Sequence, residues 1–104
     1  MLNNNKNPVS VSIIGGSGYT GAELIRLISK HPYFELSQVV ANRNAGKKVK
    51  EIFPHLRHLK LPDFISFEQM NFDNVDLIFC ALPHSTSQEI IAKIPIGKKI
   101  TPDI

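Results

Sequence analysis

The sequence has little sulfur chemistry to offer. Its single cysteine, Cys80, rules out an internal disulfide and fits a reducing compartment. Because Cys80 sits inside the run Val75-Asp76-Leu77-Ile78-Phe79-Cys80-Ala81-Leu82, it reads as a small core side chain and not as an activated thiolate. No apolar run is long enough to cross a bilayer as a helix, so no membrane partner is expected. Residues 1–8 are polar and Asn-rich, with neither the apolar stretch of a secretory signal nor the Arg-rich pattern of a transit peptide. They are expected to form a disordered tail, and the protein is expected in the cytoplasm. The net charge of +3 is too small to argue for nucleic acid. Lys47, Lys48, Lys50, Arg57, His58 and Lys60 cluster, but no stacking aromatics are interleaved with them, so a solvated face is expected and no nucleic-acid partner. His55 and His58 have a ligand-like separation without an accompanying Cys or carboxylate cluster, and no metal is expected. Internal repeats and low-complexity blocks are absent. With 104 residues the chain can hold one domain with a modest core, but not a nucleotide domain plus a separate catalytic domain.

What is present is concentrated near the start. Val9, Val11, Ile13 and Ile14 form a β-rich run that passes directly into Gly15-Gly16-Ser17-Gly18-Tyr19-Thr20-Gly21 and then into an amphipathic helical pattern. The glycines can be read as Gly16-x-Gly18-x-x-Gly21 or as Gly15-x-x-Gly18-x-x-Gly21. Either spacing suits a dinucleotide phosphate site. An early glycine turns the chain sharply out of the strand, the missing Cβ at Gly18 lets backbone N–H groups approach a pyrophosphate, and Gly21 lets the helix pack closely. The unpaired N–H groups and positive dipole end of the first helical turn then hold the anion. Leu24, Leu27 and Ile28 recur at helical spacing, and Pro32 ends the helix.

Further along, residues 35–41 read as a second strand, completing a βαβ unit with parallel strands and a right-handed crossover. Residues 42–46 read as a loop and 47–53 as a short helix closed by Pro54. Residues 55–74 carry a weak signal, with a short strand at either 59–61 or 64–65. The most continuous apolar run, 75–82, is expected to be the central strand. Ser85-x-x-Gln88 and Thr86-x-x-Glu89 are capping-box spacings that open a helix through residue 94, and residues 98–100 begin another strand. The expected fold is α/β, a Rossmann-like doubly wound parallel sheet whose last strand looks cut short, with residues 9–104 forming a partial NAD(P)-binding Rossmann domain; the resemblance described below implies that it is truncated before the catalytic domain.

The choice of nucleotide is read from the end of the second strand. An NAD-specific fold places a carboxylate there for the ribose hydroxyls, whereas this chain has Ala41-Asn42-Arg43-Asn44. A guanidinium offers planar, charge-assisted donors to a 2′-phosphate. The sequence therefore favours NADP, with Arg43 as the leading contact and Asn42, Lys47 or Lys48 as candidate helpers; the bland alternative is a solvated loop arginine. His84 follows the expected central strand at its carboxyl end, where open α/β sheets bind ligands. Whether its imidazole does chemistry or its loop only positions a ligand is left open.

Gly-Ser-Gly-Tyr-Thr-Gly-Ala-Glu-Leu at 16–24, Asn-Arg-Asn-Ala-Gly-Lys at 42–47, Phe-Pro-His-Leu at 53–56 and Ala-Leu-Pro-His-Ser at 81–85 come in the order found in one family. The chain resembles the N-terminal part of the N-acetyl-γ-glutamyl-phosphate reductases, which are similar in plan to aspartate-semialdehyde dehydrogenase. The resemblance implies an NADPH-dependent reductase of arginine biosynthesis that turns an acyl phosphate into an aldehyde. By the same resemblance a cysteine thiolate displaces phosphate, hydride reduces the resulting thioester, and a histidine handles protons. It also implies a homo-oligomer for the full-length protein and a small-molecule acyl-phosphate substrate. Carried over by position, the phosphate loop falls on Gly15, Ser17, Gly18, Tyr19, Thr20 and Gly21, the 2′-phosphate region on Asn42 and Arg43, and the loop near the nicotinamide on Leu82, Pro83 and His84.

The family's catalytic cysteine lies in an Asn-Pro-Gly-Cys-type segment that this chain does not contain, and Cys80 does not match it. The partner histidine is also missing, and residues 99–104 depart from the Asp-Leu-Ser-Ala-Asp-Phe-like continuation of the family. A fragment that binds cofactor without turnover, with no catalytic residue of its own, is therefore expected. The rival readings are a stand-alone NADP-binding or sensing module and a reductase of a related acyl phosphate, such as an aminoadipyl phosphate. A short-chain-type reductase is disfavoured, because neither Tyr19 nor Tyr33 has Lys four positions on.

Overall fold

A computed structural model describes residues 9–15, 18–73, 75–82, 92 and 99–101. The expected tail at 1–8 and the expected helix at 88–94 lie outside the described residues. The frame is a five-stranded, all-parallel sheet in the order β3-β2-β1-β4-β5. Its strands are β1 (Val9–Ile14), β2 (Phe34–Val40), β3 (Phe64–Ile65), β4 (Leu77–Cys80) and β5 (Lys99–Thr101). Among the described residues two α-helices accompany them, α1 (Tyr19–Lys30) and the single-turn α2 (Val49–Ile52).

The middle of the sheet is β1, which corrects the expectation that the 75–82 run would be central. That run forms only the four-residue strand β4, between β1 and β5. A strand covered on both faces must be apolar on both, and β1 meets this with Val11, Ile13 and Ile14 buried together with Ser12. The period of two then sorts neighbours onto opposite faces. Val11, Ile13, Val39 and Phe64 join a core on the α1 side with Leu24, Ile25 and Ile28. Ile14, Val40, Ile78 and Cys80 join a second core with Met70 and Val75. Covering on both faces is what makes the arrangement Rossmann-like.

Helix α1 buries Gly21, Ala22, Leu24, Ile25 and Ile28. Leu27, which shares the helical spacing of Leu24 and Ile28, is 53% exposed, while Ile25 is buried. At 3.6 residues per turn, Leu27 lies roughly a third of a turn from the centre of the stripe formed by residues 21, 25 and 28. The helix stops where expected. His31 precedes Pro32, which disfavours the α conformation, and it is extended at φ −77° and ψ 129°.

Strand β2 lies parallel to β1 with a register step between Val11 and Ser12, which leaves Ser37 as the extra residue. Its hydroxyl donates to the Val11 carbonyl at 3.2 Å and bonds the Ser10 hydroxyl at 2.9 Å. Next along β2, the Gln38 side-chain amide imitates a strand partner. It donates to the Asn71 carbonyl at 2.8 Å and accepts the Asn71 N–H at 2.7 Å, tying the 66–75 segment to the sheet. The weak 55–74 region thus supplies the second core's cover, with its strand at 64–65 and not at 59–61.

Candidate functional site

A doubly wound sheet binds ligands beyond the carboxyl ends of its strands, where the direction of winding reverses. Here the chain passes from β1 outward to β2 and β3, then returns to the other side of β1 as β4, so the reversal lies between β1 and β4. Gly15 leaves β1 at that point. Its φ of +86° is the left-handed region that favours glycine, and its N–H bonds the Val40 carbonyl at 2.8 Å. A Cβ at residue 15 would lie 2.8 Å from Leu82 Cδ2 and 3.0 Å from the Ala81 carbonyl carbon and oxygen. Gly15 therefore packs directly against the segment leaving β4. Of the two glycine spacings, only the one beginning at Gly15 has all three of its glycines among the described residues; Gly16 and Ser17 fall outside them.

Gly18 serves a different purpose. At φ −94° and ψ 179° any residue could adopt its backbone conformation. What marks it is space, since nothing lies within 4 Å of where its Cβ would be. It precedes α1 without a side-chain cap, and no acidic residue occupies the first turn. The first intrahelical bond runs from the Ala22 N–H to the Gly18 carbonyl at 2.9 Å, so the N–H groups of Tyr19, Thr20 and Gly21 have no intrahelical acceptor. Tyr19 is 97% exposed, Thr20 is exposed and Gly21 is buried. One turn later, Arg26 pairs with Glu23, and this hydrogen-bonded guanidinium holds the Glu23 carboxyl below its ordinary range.

Beyond β2, residues Asn42–Asn44 form a 3₁₀ turn. Its base is fixed by the Ala41 N–H, which donates to the Ile65 carbonyl at 2.9 Å. Asn42 Oδ1 accepts the Phe67 N–H at 2.8 Å, so this side chain braces the turn that follows β3 and keeps only its amide donors for other partners. Arg43 is exposed and enters no hydrogen bond or ion pair among the described residues. Lys48 turns elsewhere, with Nζ 3.9 Å from Asp63 Oδ1.

Leu82 is half-buried over Gly15 and packs on the second core, while Pro83 and His84 lie outside the described residues. Cys80 is fully buried among Ile14, Val40, Met70 and Ile78, an apolar setting that does nothing to stabilise a thiolate. Among the described residues no group of three or more His, Cys, Asp and Glu side chains is placed to hold a metal ion.

The profile of the semialdehyde dehydrogenase NAD-binding domain matches residues 10–101. The chain belongs to this family. Its relatives include the N-acetyl-γ-glutamyl-phosphate reductase of Rhodobacter capsulatus, 50% identical over 90 residues, covering 86% of this chain and 26% of that protein. A probable chloroplastic N-acetyl-γ-glutamyl-phosphate reductase of Arabidopsis thaliana is 46% identical over 92 residues, covering 88% of this chain and 23% of its own length. The crystal structure of aspartate semialdehyde dehydrogenase with NADP from Candida albicans superposes with a TM-score of 0.76 at 25% identity, covering 93% of this chain and 30% of that one. The chain spans about a quarter of the length of the curated relatives it matches.

Within this semialdehyde dehydrogenase NAD-binding domain, the sheet brings the glycine turn and Leu82 into contact. It places the Asn42–Asn44 turn beyond the neighbouring strand, linked to the glycine turn by the Gly15–Val40 bond. Sequence reasoning missed the role of Leu82 as the wall behind Gly15 and the bond from Phe67 to Asn42. Neither has a local signal, because the partners are 67 and 25 residues apart.

Proposed function

We propose that the chain is the NADP-binding part of an N-acetyl-γ-glutamyl-phosphate reductase, which reduces N-acetyl-γ-glutamyl phosphate to the semialdehyde in arginine biosynthesis. The names of its relatives supply the reaction. The observation that carries the cofactor is the pairing of two features on adjacent strand ends. One is a glycine turn with open space at Gly18, and the other is an exposed Arg43, without a partner among the described residues, where an NAD-specific site would hold a carboxylate.

The residues present fit the group. Gly15 sets the turn, Gly18 leaves room for the pyrophosphate, and the N–H groups of Tyr19, Thr20 and Gly21, which have no intrahelical acceptor, are available to it; the family resemblance adds Ser17. Arg43, with the amide donors of Asn42, holds the 2′-phosphate. Leu82 lines the nicotinamide end, because it abuts the glycine turn; the family resemblance assigns Pro83 and His84 to the same end. When bound, the dinucleotide supplies the hydride. The part of the relatives that this chain does not span supplies the nucleophile and the acyl-phosphate site, and the complete enzyme works as a homo-oligomer in the cytoplasm. Cys80 contributes packing.

The test is a fluorescence titration of the purified chain with NADPH and NADH. NADPH should bind more tightly, and Arg43→Ala should erase about 1–3 kcal/mol of that preference, as expected for a lost charge-assisted contact. Equal affinities for the two nucleotides in the unsubstituted chain would overturn the assignment of NADP.

A further inference from the structure

Apart from the glycine turn, the chain carries a second charged feature. Between α2 and residues 57–63 lies a groove of about 270 Å³, near the lower end of the roughly 300–1,000 Å³ typical of ligand pockets. Lys48, Lys50, Arg57 and Lys60 line it, with Asp63 the only carboxylate among the lining residues. The local excess of three positive charges equals the net charge of the whole chain, so the rest of the protein is neutral in sum. The groove shares no lining residue with Gly15, Gly18, Asn42 or Arg43.

The surrounding bonds keep these cations available. Glu51, the carboxylate of α2, is engaged in accepting the Lys48 N–H at 2.7 Å. Asp63 reaches Lys48 only at 3.9 Å, an exposed and solvent-screened pairing. Arg57 is steadied by donation from Nη1 to the Pro54 carbonyl at 3.1 Å, which leaves its other donors free to act on an anion. The floor is apolar and fixed, since Val49 and Leu56 are buried in the first core. No aromatic ring lines the groove, so it lacks the stacking platform that a single nucleic-acid strand needs.

We propose that this groove is a second anion site, separate from the dinucleotide site, which takes a small organic molecule carrying at least two negatively charged oxyanion groups on an apolar frame. The cations meet the oxyanions at the rim, and the half-buried Leu59 and Leu61, backed by Val49 and Leu56, receive the frame. A shallow site of this kind binds weakly, with a dissociation constant on the order of 1 mM.

The experiment is a ¹H–¹⁵N NMR titration of the labelled chain with pyrophosphate and, separately, with citrate, each against sodium chloride at matched ionic strength. Saturable shifts confined to the amides of residues 48–63 support the site. A response to pyrophosphate alone assigns it to phosphoryl ligands, and a response to citrate alone to polycarboxylates. The double substitution Lys50→Gln/Lys60→Gln should weaken the titration at least tenfold without altering amide signals elsewhere, and Arg43→Ala should leave it unchanged. Shifts that chloride reproduces would overturn the proposal. So would saturable shifts that persist in the double variant, or that map to residues 15–22 and vanish in Arg43→Ala. Because the Arg43 arm reports on the dinucleotide site independently, failure of either reading can be told from failure of the other.

Discussion

The side chain of Leu82 lies against the backbone of Gly15 so closely that a methyl group at residue 15 would sit 2.8 Å from Leu82 Cδ2. This contact joins the turn leaving β1 to the segment leaving β4. Gly15→Ala should therefore destabilise the fold by about 1–3 kcal/mol, through the strain of a left-handed backbone combined with the clash. Adding Leu82→Ala should not restore stability, because the Ala81 carbonyl and the φ of +86° remain. Urea denaturation of the single and double variants checks both statements, and an unchanged midpoint for Gly15→Ala would refute them.

Gly18 should behave in the opposite way. Its backbone is compatible with a β-branched residue, and among the described residues nothing beyond its chain neighbours lies within 4 Å of where the Cβ would go. Gly18→Val should change stability by no more than about 0.5 kcal/mol, yet abolish nucleotide binding by filling the space intended for pyrophosphate. Paired circular dichroism and nucleotide titration decide this; full retention of binding would remove the glycine turn from the site.

Asn42 combines bracing with recognition. Asn42→Ala leaves the Phe67 N–H without its acceptor and should cost about 1 kcal/mol, with faster hydrogen exchange at the Phe67 amide. Asn42→Asp keeps an acceptor there, so protection at Phe67 should survive, while its new negative charge should weaken NADPH binding more than NADH binding. Protection lost equally in both variants would contradict the bracing role.

The Glu23–Arg26 pair on α1 predicts a small pH dependence. Hydrogen bonding from Arg26 lowers the Glu23 pKa from its ordinary 4.5. A depressed carboxylate pKa stabilises the fold above the unfolded-state value, and that contribution disappears as the pH falls through the folded value. Glu23→Gln should therefore lower the melting temperature slightly near neutrality and leave it unaltered in strong acid. Melting curves collected from neutral pH down to about pH 3, below the ordinary Glu range, will show whether the two proteins converge. Both side chains are exposed, so the effect is modest.

Local chemistry made much of the architecture legible. The β-branched run before the glycines, the helix stopped by His31-Pro32, the parallel second strand and the strand near residue 100 can all be read from patterns spanning a few residues. Period and punctuation act over that same range. The rest has a different origin. Leu27 shares helical spacing with Leu24 and Ile28, and only the sheet beneath α1 selects Leu24, Ile25 and Ile28 for the core and leaves Leu27 outside it. The 75–82 run looked central because it is the most apolar, whereas centrality belongs to the strand with partners on both sides and further strands beyond each of them.

The sequence by itself determined the strand–glycine–helix unit, the absence of a carboxylate after β2 and the family to which the chain belongs, since each is written in consecutive residues. The tertiary structure alone decided that β1 lies between β2 and β4, which puts Gly15 against Leu82 and ties Asn42 to Phe67. It also decided that Lys48 faces Asp63 at the edge of a basic groove. The physical reason is that these contacts join residues far apart along the chain. Their partners are chosen by strand order and by the pleat that sorts side chains between two faces, and no short window of sequence contains either.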